Sequence, residues 1–266
     1  MKLITLTAAA SVVLLLSGLP MAFSQETREV KKTVDLNKDG EVSIDTYKGS
    51  ITIHTWDKPQ VEVNARIEPD GHDRYSKEKV RDTEIDIDGS THNLYIKSDY
   101  EDLKSHSSWL SGLFGEDSGA LPFVHYTISM PATARLRIKD YKSESRIEDL
   151  KASLEINTYK GTVNARRLEG SIDLDTYKGE VTLDYASLKD DSRLKTYKGR
   201  IELSLPKDAS FTLDTEIGRH GDFDSDFSVT TPGRLRHHDR SHGSVGSGGP
   251  LLEVNNEKGT VRLRAK

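Results

Sequence analysis

Tyr and Lys stand side by side five times in this 266-residue chain, at Tyr47-Lys48, Tyr141-Lys142, Tyr159-Lys160, Tyr177-Lys178 and Tyr197-Lys198. Four of the pairs sit in a Thr-Tyr-Lys-Gly turn, and the last three recur every 18 to 20 residues. A row of phenol rings beside ammonium groups suits two kinds of ligand. Sugars stack their apolar faces on aromatic rings, and anionic polymers bridge successive positive charges. The candidate ligand-binding residues are therefore Tyr159, Lys160, Tyr177, Lys178, Tyr197 and Lys198, with Tyr141 and Lys142 extending both columns. A plainer role competes with this one: stacked tyrosines shield a sheet edge, and lysines block edge pairing while staying solvated. Asp175 and Glu180 would also partly neutralise the Lys row.

Two other stretches carry chemistry-bearing residues. Trp109, Leu110, Leu113 and Phe114 gather four large apolar side chains around Gly112, which either plug the fold or form a docking patch for a partner. The segment from Arg219 to His242 holds His220, His237, His238 and His242 with Asp222, Asp224, Asp226 and Asp239. Imidazoles and carboxylates at that density can gather a cation, but the Asp triplet lacks the Gly and Glu of a calcium loop, so a polar loop without metal or cofactor is expected. Catalysis finds little support. There is no Cys, no Ser in a Gly-x-Ser-x-Gly elbow, and no paired acid/base pattern among the carboxylates. A polysaccharide-cleaving enzyme is the weakest of the functional alternatives.

The elements that must position the Tyr-Lys pairs are legible in the repeat. Aligned on the turn, the rungs run from Ala134 to Ile147, Ser153 to Ala165, Ser171 to Leu183, Asp191 to Leu203 and Leu251 to Leu263, with a distant early member from Glu41 to Ile53. Before the turn, Leu154/Ile156 and Ile172/Leu174 alternate with polar residues; after it, Val163/Ala165 and Val181/Leu183 do the same. Period-two alternation over such short units gives two strands per rung, each with one inward face. The period is too short for helical repeats, so the fold class is all-β: a single parallel β-solenoid with an N-terminal β cap. The turn glycines are expected to supply a positive φ, and Thr46, Thr158, Thr176 and Thr196 to face inward, where stacked hydroxyls can bond one another. Leu150, Leu168 and Leu188 mark a second corner. Strands within Thr33 to Ile67 and Thr83 to Ser98 form the cap, joined by the polar stretch Glu68 to Arg81, and residues 99–120 and 218–250 read as long loops.

Composition narrows the setting. Lys2 followed by the apolar run Leu3 to Leu16, then Pro20 and Ala22-Phe23-Ser24, reads as an export signal over residues 1–24, with the domain occupying 25–266. The run is short of the ~20 residues of a spanning helix, so no stable membrane insertion is expected. The 38 Lys and Arg against 43 Asp and Glu are spread along the chain, which argues against nucleic acid as a partner. An exported product, periplasmic or secreted, follows.

The chain resembles the bacterial putative-adhesin β-solenoid family, a domain of unknown function related to autotransporter adhesin heads. The likeness rests on the opening Gly49-Ser-Ile-Thr-Ile-His-Thr-Trp-Asp57 followed by Val61-Glu-Val63, on Ile128-Ser-Met-Pro131 entering the rungs, and on the Gly246 to Leu252 run before the Asn256-Glu-Lys-Gly259 turn. The resemblance implies a parallel β-solenoid, export, and envelope roles from surface interaction to stress sensing, with no catalytic residues to carry over. One departure is the Tyr-Lys pair itself, since family turns often carry Asn or Ser before Gly. The expected function is a non-enzymatic envelope protein binding cell-wall polymer, glycan or an envelope protein, with a stress-regulatory docking protein as the alternative.

Overall fold

The computed structural model describes residues 27–71, 74–101, 103, 121–230 and 240–266. Residues 1–24, read above as an export signal, and the Trp109-Leu110-Leu113-Phe114 cluster lie outside the described residues. Along the chain come β1 (Arg28–Asp35), β2 (Glu41–Trp56), β3 (Gln60–Glu68), α1 (Arg74–Asp82), β4 (Glu84–Gly89), β5 (Asn93–Asp99), β6 (Phe123–Pro131) and β7 (Arg135–Glu148). The repeats follow as β8 (Leu154–Thr158), β9 (Thr162–Leu168), β10 (Ile172–Thr176), β11 (Glu180–Tyr185), β12 (Ser192–Thr196) and β13 (Arg200–Leu205). The last elements are β14 (Phe211–Ile217), β15 (Asp222–Ser225), β16 (Ser241–Val245), β17 (Leu251–Asn256) and β18 (Thr260–Ala265).

These strands stack as two columns, one before and one after each turn, in an all-β solenoid dominated by parallel pairing. The before-turn column runs β5, β2, β7, β8, β10, β12, β17, β14, all parallel. The after-turn column runs β6, β2, β7, β9, β11, β13, β18, β15, also parallel. Antiparallel strands close the ends: β4 on β5, β3 and then β1 on β6, and β16 on β14. Spatial order therefore departs from chain order twice. The early rung β2 lies between β5/β6 and β7, and the C-terminal rung β17/β18 is inserted between β12/β13 and β14/β15. Residues 218–250 are accordingly not one loop: they contribute β15 and β16. Phe223 is the only large apolar residue in the four-residue β15, too weak an alternation to announce a strand.

Inward residues follow the alternation that the sequence shows. Leu136/Ile138, Leu154/Ile156, Leu174, Val163/Ala165, Val181/Leu183, Ile201/Leu203, Leu252/Val254 and Val261/Leu263 are all buried and join one continuous core with the cap residues Ile51, Val63, Ile96 and Tyr126. Leu150 and Leu168 are buried at the second corner, with Leu188 packed against them.

The turns follow the expectation only in part. Thr46, Thr158, Thr176 and Thr196 are buried, and Thr46 Oγ1 lies 2.8 Å from Ser98 Oγ of the adjacent strand β5, a hydroxyl pair along the stack. Thr158 Oγ1 instead accepts from its own Gly161 N–H at 2.8 Å, besides its bond to Asp140 of the neighbouring rung, and Thr196 Oγ1 accepts from Gly199 N–H at 2.9 Å, so these two hydroxyls close their own turns. Asn256 Oδ1 and Asp140 Oδ2 do the same for Gly259 N–H at 2.7 Å and Ser143 N–H at 2.6 Å. Nor is a positive φ what Gly supplies at the repeats: only Gly49, at 134°, takes one among the Tyr-Lys-Gly turns. Rung-to-rung approach is the constraint. A Cβ on Gly199 would stand 2.5 Å from the Gly179 carbonyl oxygen, and one on Gly179 or Gly259 would meet the carbonyl of the adjacent turn more closely still. Gly259→Ala is thus expected to lower stability by about 2 kcal/mol through overpacking, read as a drop in the urea midpoint with unchanged slope.

Candidate functional site

The turns deliver their outward side chains in two parallel columns. Tyr47, Tyr141, Tyr159, Tyr177 and Tyr197 form a continuous ladder, with successive ring centroids 4.8, 5.0, 4.6 and 4.9 Å apart and interplanar angles from 3° to 15°. Each stacked pair contributes about 0.5–1.5 kcal/mol beyond its buried area. The ladder contains one ring more than the sequence assigned to it, because β2 docks on β7 in register. Face-to-face stacking also uses the ring faces. A sugar cannot lie flat on rings whose faces already cover one another, so the inner tyrosines offer outward only their edges and hydroxyls. Burial pushes the Tyr47 phenol above its usual range, and its neighbour Tyr141 adds to the shift.

The ammonium column begins one rung later. Lys48 is buried, paired with Asp70, and lies over the Phe123 ring at 4.3 Å, so it belongs to the cap. Lys142, Lys160, Lys178, Lys198 and Lys258 are exposed. The last four line a groove of about 450 Å³ with Gly179, Gly199, Gly259, Thr162, Glu180, Arg200 and Thr260. Lys258 was missed by reasoning keyed on Tyr-Lys-Gly, since its turn reads Asn256-Glu257-Lys258-Gly259; the Lys-Gly pair alone would have found it. It also closes the aromatic column, donating to Tyr197 Oη at 2.9 Å with its Nζ 5.0 Å from the ring centre. That bond holds the Lys258 ammonium above its usual pKa range. Lys160 likewise sits over Tyr141 and Tyr159, at 5.5 and 5.3 Å from their ring centres.

Charge pairing separates this edge from the strand faces. On the faces, Arg137 pairs with Glu155 and Arg193 with Asp173 across rungs, each at 2.9 Å, and at the second corner Lys189 pairs with Glu169 at 2.8 Å and Arg167 with Asp149 at 2.5 Å. Asp175, expected to neutralise the Lys row, pairs instead with Lys195 at 3.3 Å. No ion pair among the described residues involves Lys142, Lys160, Lys178, Lys198, Lys258 or Arg200. Among the described residues, Glu180 is the one carboxylate lining the groove. The arrangement can therefore hold anions along its length.

Residues 127–264, just over half of the sequence, match the Toastrack DUF4097 family. The chain belongs to the Toastrack DUF4097 family. Among solved structures, a protein of Clostridium sporogenes described as a putative cell adhesion protein is similar at 11% identity, with a TM-score of 0.51, over 91% of this chain and 100% of that one. A putative adhesin of Parabacteroides merdae aligns at 12% identity over 89% of this chain and 96% of that one, with a TM-score of 0.24. No curated protein matches. The Toastrack match starts within β6, so the cap from β1 to β5 lies beyond it, whereas every Lys of the groove lies inside it.

Elsewhere in this Toastrack chain, the acid-rich C-terminal segment is occupied by ion pairs. Arg264 binds Asp224 and Asp226 at 2.9 and 3.0 Å, and Arg240 binds Asp214 at 2.8 Å, which holds the Asp214 carboxyl below its usual range. Among the described residues no three His, Asp or Glu gather to hold a metal ion; His237, His238 and Asp239 lie outside them. A hydroxyl–imidazole–carboxylate chain that sequence reading did not anticipate joins three neighbouring strands. Ser50 Oγ is 2.9 Å from His125 Nδ1, and His125 Nε2 is 3.2 Å from Glu68. Its order is that of a hydrolase relay, but Glu68 is shared with Arg66, which stands opposite His125 in the register. Partial burial lowers the His125 pKa. The chain reads as cross-strand pairing in the cap.

Proposed function

We propose that this protein is an exported, non-enzymatic component of the cell envelope that binds cell-wall polymer or glycan along the Lys edge of its solenoid, in the manner of an adhesin. The observation that carries this reading is the contrast in charge pairing. Among the described residues, Arg137, Arg193 and Lys195 on the strand faces are paired with acids of the neighbouring rung, while five lysines and Arg200 at the turn edge make no ion pair. Equal spacing makes the edge multivalent, so individually weak contacts reinforce one another through effective concentration. Export is supported by the N-terminal pattern around Lys2 and Ala22-Phe23-Ser24. No helix among the described residues is long and apolar enough to cross a membrane. The adhesion-related description of the Clostridium sporogenes fold relative agrees with this role without assigning it.

The test is co-sedimentation of residues 25–266 with separated wall polymer, membranes and envelope protein extract. Saturable wall binding is expected, reduced at least about tenfold by the combined substitutions Lys160→Glu, Lys178→Glu and Lys198→Glu, and weakened by salt because exposed charges are screened within about 8–10 Å. An unchanged circular dichroism melt should accompany the loss, since these side chains are exposed. Wall binding that survives the triple substitution would remove the edge as the binding surface. Binding confined to the protein extract would favour a docking or stress-sensing role instead.

A further inference from the structure

The tyrosine ladder carries a chemistry that anion binding at the Lys edge does not use. Tyr47, Tyr141, Tyr159, Tyr177 and Tyr197 stack ring on ring at 4.6 to 5.0 Å, with planes within 15° of parallel. Backbone bonds repeat beneath them: the N–H groups of Tyr159, Tyr177 and Tyr197 donate to the carbonyls of Asp140, Thr158 and Thr176, so these rings leave the stack from equivalent places. Tyr47, Tyr159, Tyr177 and Tyr197 are 37–41% exposed, open to a small oxidant and with room to turn about their side-chain bonds. The hydroxyls of Tyr141 and Tyr197 face the ammonium groups of Lys160 and Lys258, which can only donate, so both phenols keep their own protons for water. Competing targets are screened. The chain has no Cys, and among the described residues Met130 is fully buried and Trp56 is half-buried, with the Lys58 ammonium 4.5 Å from its ring centre, a positive charge that opposes electron loss.

We infer that the ladder is a site of oxidative cross-linking, at which a one-electron oxidant of the peroxidase–peroxide class joins stacked neighbours into dityrosine and staples adjacent rungs. One electron and one proton leave each of two phenols. The two phenoxyl radicals pair to form one carbon–carbon bond between ring carbons beside the hydroxyls, and each of those carbons passes its hydrogen to its own ring's oxygen, which restores the aromatic rings. The two electrons and two protons released reduce one hydrogen peroxide to two waters. Proximity replaces diffusion in this step: a radical on any rung already has a second phenol against its face, whereas exposed tyrosines elsewhere must meet by chance. Five rings in a row pair only two at a time, so one chain takes at most two bonds. Tyr159–Tyr177 and Tyr177–Tyr197 bonds span 18 and 20 residues and Tyr47–Tyr141 spans 94, so each removes freedom from the unfolded chain as a disulfide would, in a protein without cysteine. Cross-linking needs no ligand at the Lys edge and stands apart from polymer binding.

Dilute protein treated with a haem peroxidase and limiting hydrogen peroxide, then digested and mapped by mass spectrometry, tests this. Linked peptides should lack two hydrogens per bond and join Tyr47 to Tyr141, Tyr141 to Tyr159, Tyr159 to Tyr177 or Tyr177 to Tyr197. Tyr75 and Tyr95, 70% and 43% exposed but outside the ladder, should stay unlinked. Tyr141→Phe combined with Tyr177→Phe keeps the stacked rings but leaves no two phenols adjacent, and should lower dityrosine fluorescence at least about fivefold. Tyr75→Phe combined with Tyr95→Phe should leave it unchanged. The linked wild type should also unfold at higher urea than the untreated protein. Links at Tyr75 and Tyr95 as abundant as those in the ladder, or fluorescence that survives the Tyr141 and Tyr177 substitutions, would show that exposure and not stacking governs coupling, and would overturn the site. So would folded protein without dityrosine under conditions that couple free tyrosine in a parallel reaction. Bonds that form without moving the urea midpoint would overturn the staple and leave the site.

Discussion

Removing residues 251–266 is expected to release far more of the molecule than one terminal rung. β17 is hydrogen-bonded to β12 on one side and β14 on the other, and β18 to β13 and β15. Leu252, Val254, Val261 and Leu263 are fully buried between those neighbours. At about 1.5–3 kcal/mol each, their burial amounts to about 6–12 kcal/mol as an upper estimate. Whole domains are stable by only about 5–15 kcal/mol. Without this rung β14, β15 and β16 lose the surface that holds them, while rungs farther away keep theirs, because a solenoid is stabilised between nearest neighbours. Hydrogen exchange on the truncated protein should show the amides of Phe211 to Ile217 and Ser241 to Val245 unprotected, with Leu154 to Thr158 still protected. Retained protection of β14 would mean that it re-docks on β12, and that the inserted rung is dispensable.

That rung order could not be read from the chain, although each rung could. Alternation around Leu154/Ile156 or Val181/Leu183 reports which side chains face inward, a property local to one strand. Which rung lies on which is settled by complementarity between whole rungs, and nothing in the Leu251 to Leu263 segment distinguishes stacking on β12 from stacking on β14. The same limit hid the fifth member of the Tyr ladder: Tyr47 lies 94 positions before Tyr141 in the chain and directly against it in space. Glycine was assigned for the wrong reason because sequence shows where Gly occurs, not whether a φ angle or a neighbouring carbonyl demands it. At Gly179, Gly199 and Gly259 the demand comes from the adjacent rung.

The Lys edge shows how the turn serves two ends at once. Closing the turn with an inward Thr and a side-chain-free Gly leaves the two intervening residues no direction but outward, so Tyr and Lys are displayed at every repeat. Stacking the rings then fixes the spacing of the lysines, and the fold's own acids are kept on the strand faces by Arg137, Arg193 and Lys195. Where the turn residue is an acid in place of Thr, the same logic exposes a weakness.

Asp140 is that position. It takes the place of Thr in the β7 turn, where its carboxylate accepts the Ser143 N–H at 2.6 Å while being only 7% exposed. Burial pushes its pKa up to about 6, and the bonds from Ser143 and Thr158 pull it down without winning. An unfolded Asp titrates near 3.9, so the folded chain keeps its proton to higher pH than the unfolded one. The stability linked to that proton is complete below about pH 4 and lost as pH rises through about 6, a difference of about 3 kcal/mol for about two pKa units. Asp140→Asn retains an oxygen for the Ser143 N–H, as Asn256 does for Gly259, and removes the buried charge. The variant should therefore exceed the wild type by about 2–3 kcal/mol at pH 8 and match it at pH 4. Urea denaturation across that range gives the comparison. His125 works in the opposite sense, since its lowered pKa adds stability as pH rises through its unfolded value of about 6.5. Subtracting the Asn variant's curve from that of the wild type removes this contribution, because His125 is common to both. A difference that does not change with pH would show that the turn tolerates the charge and that Asp140 is held ionised.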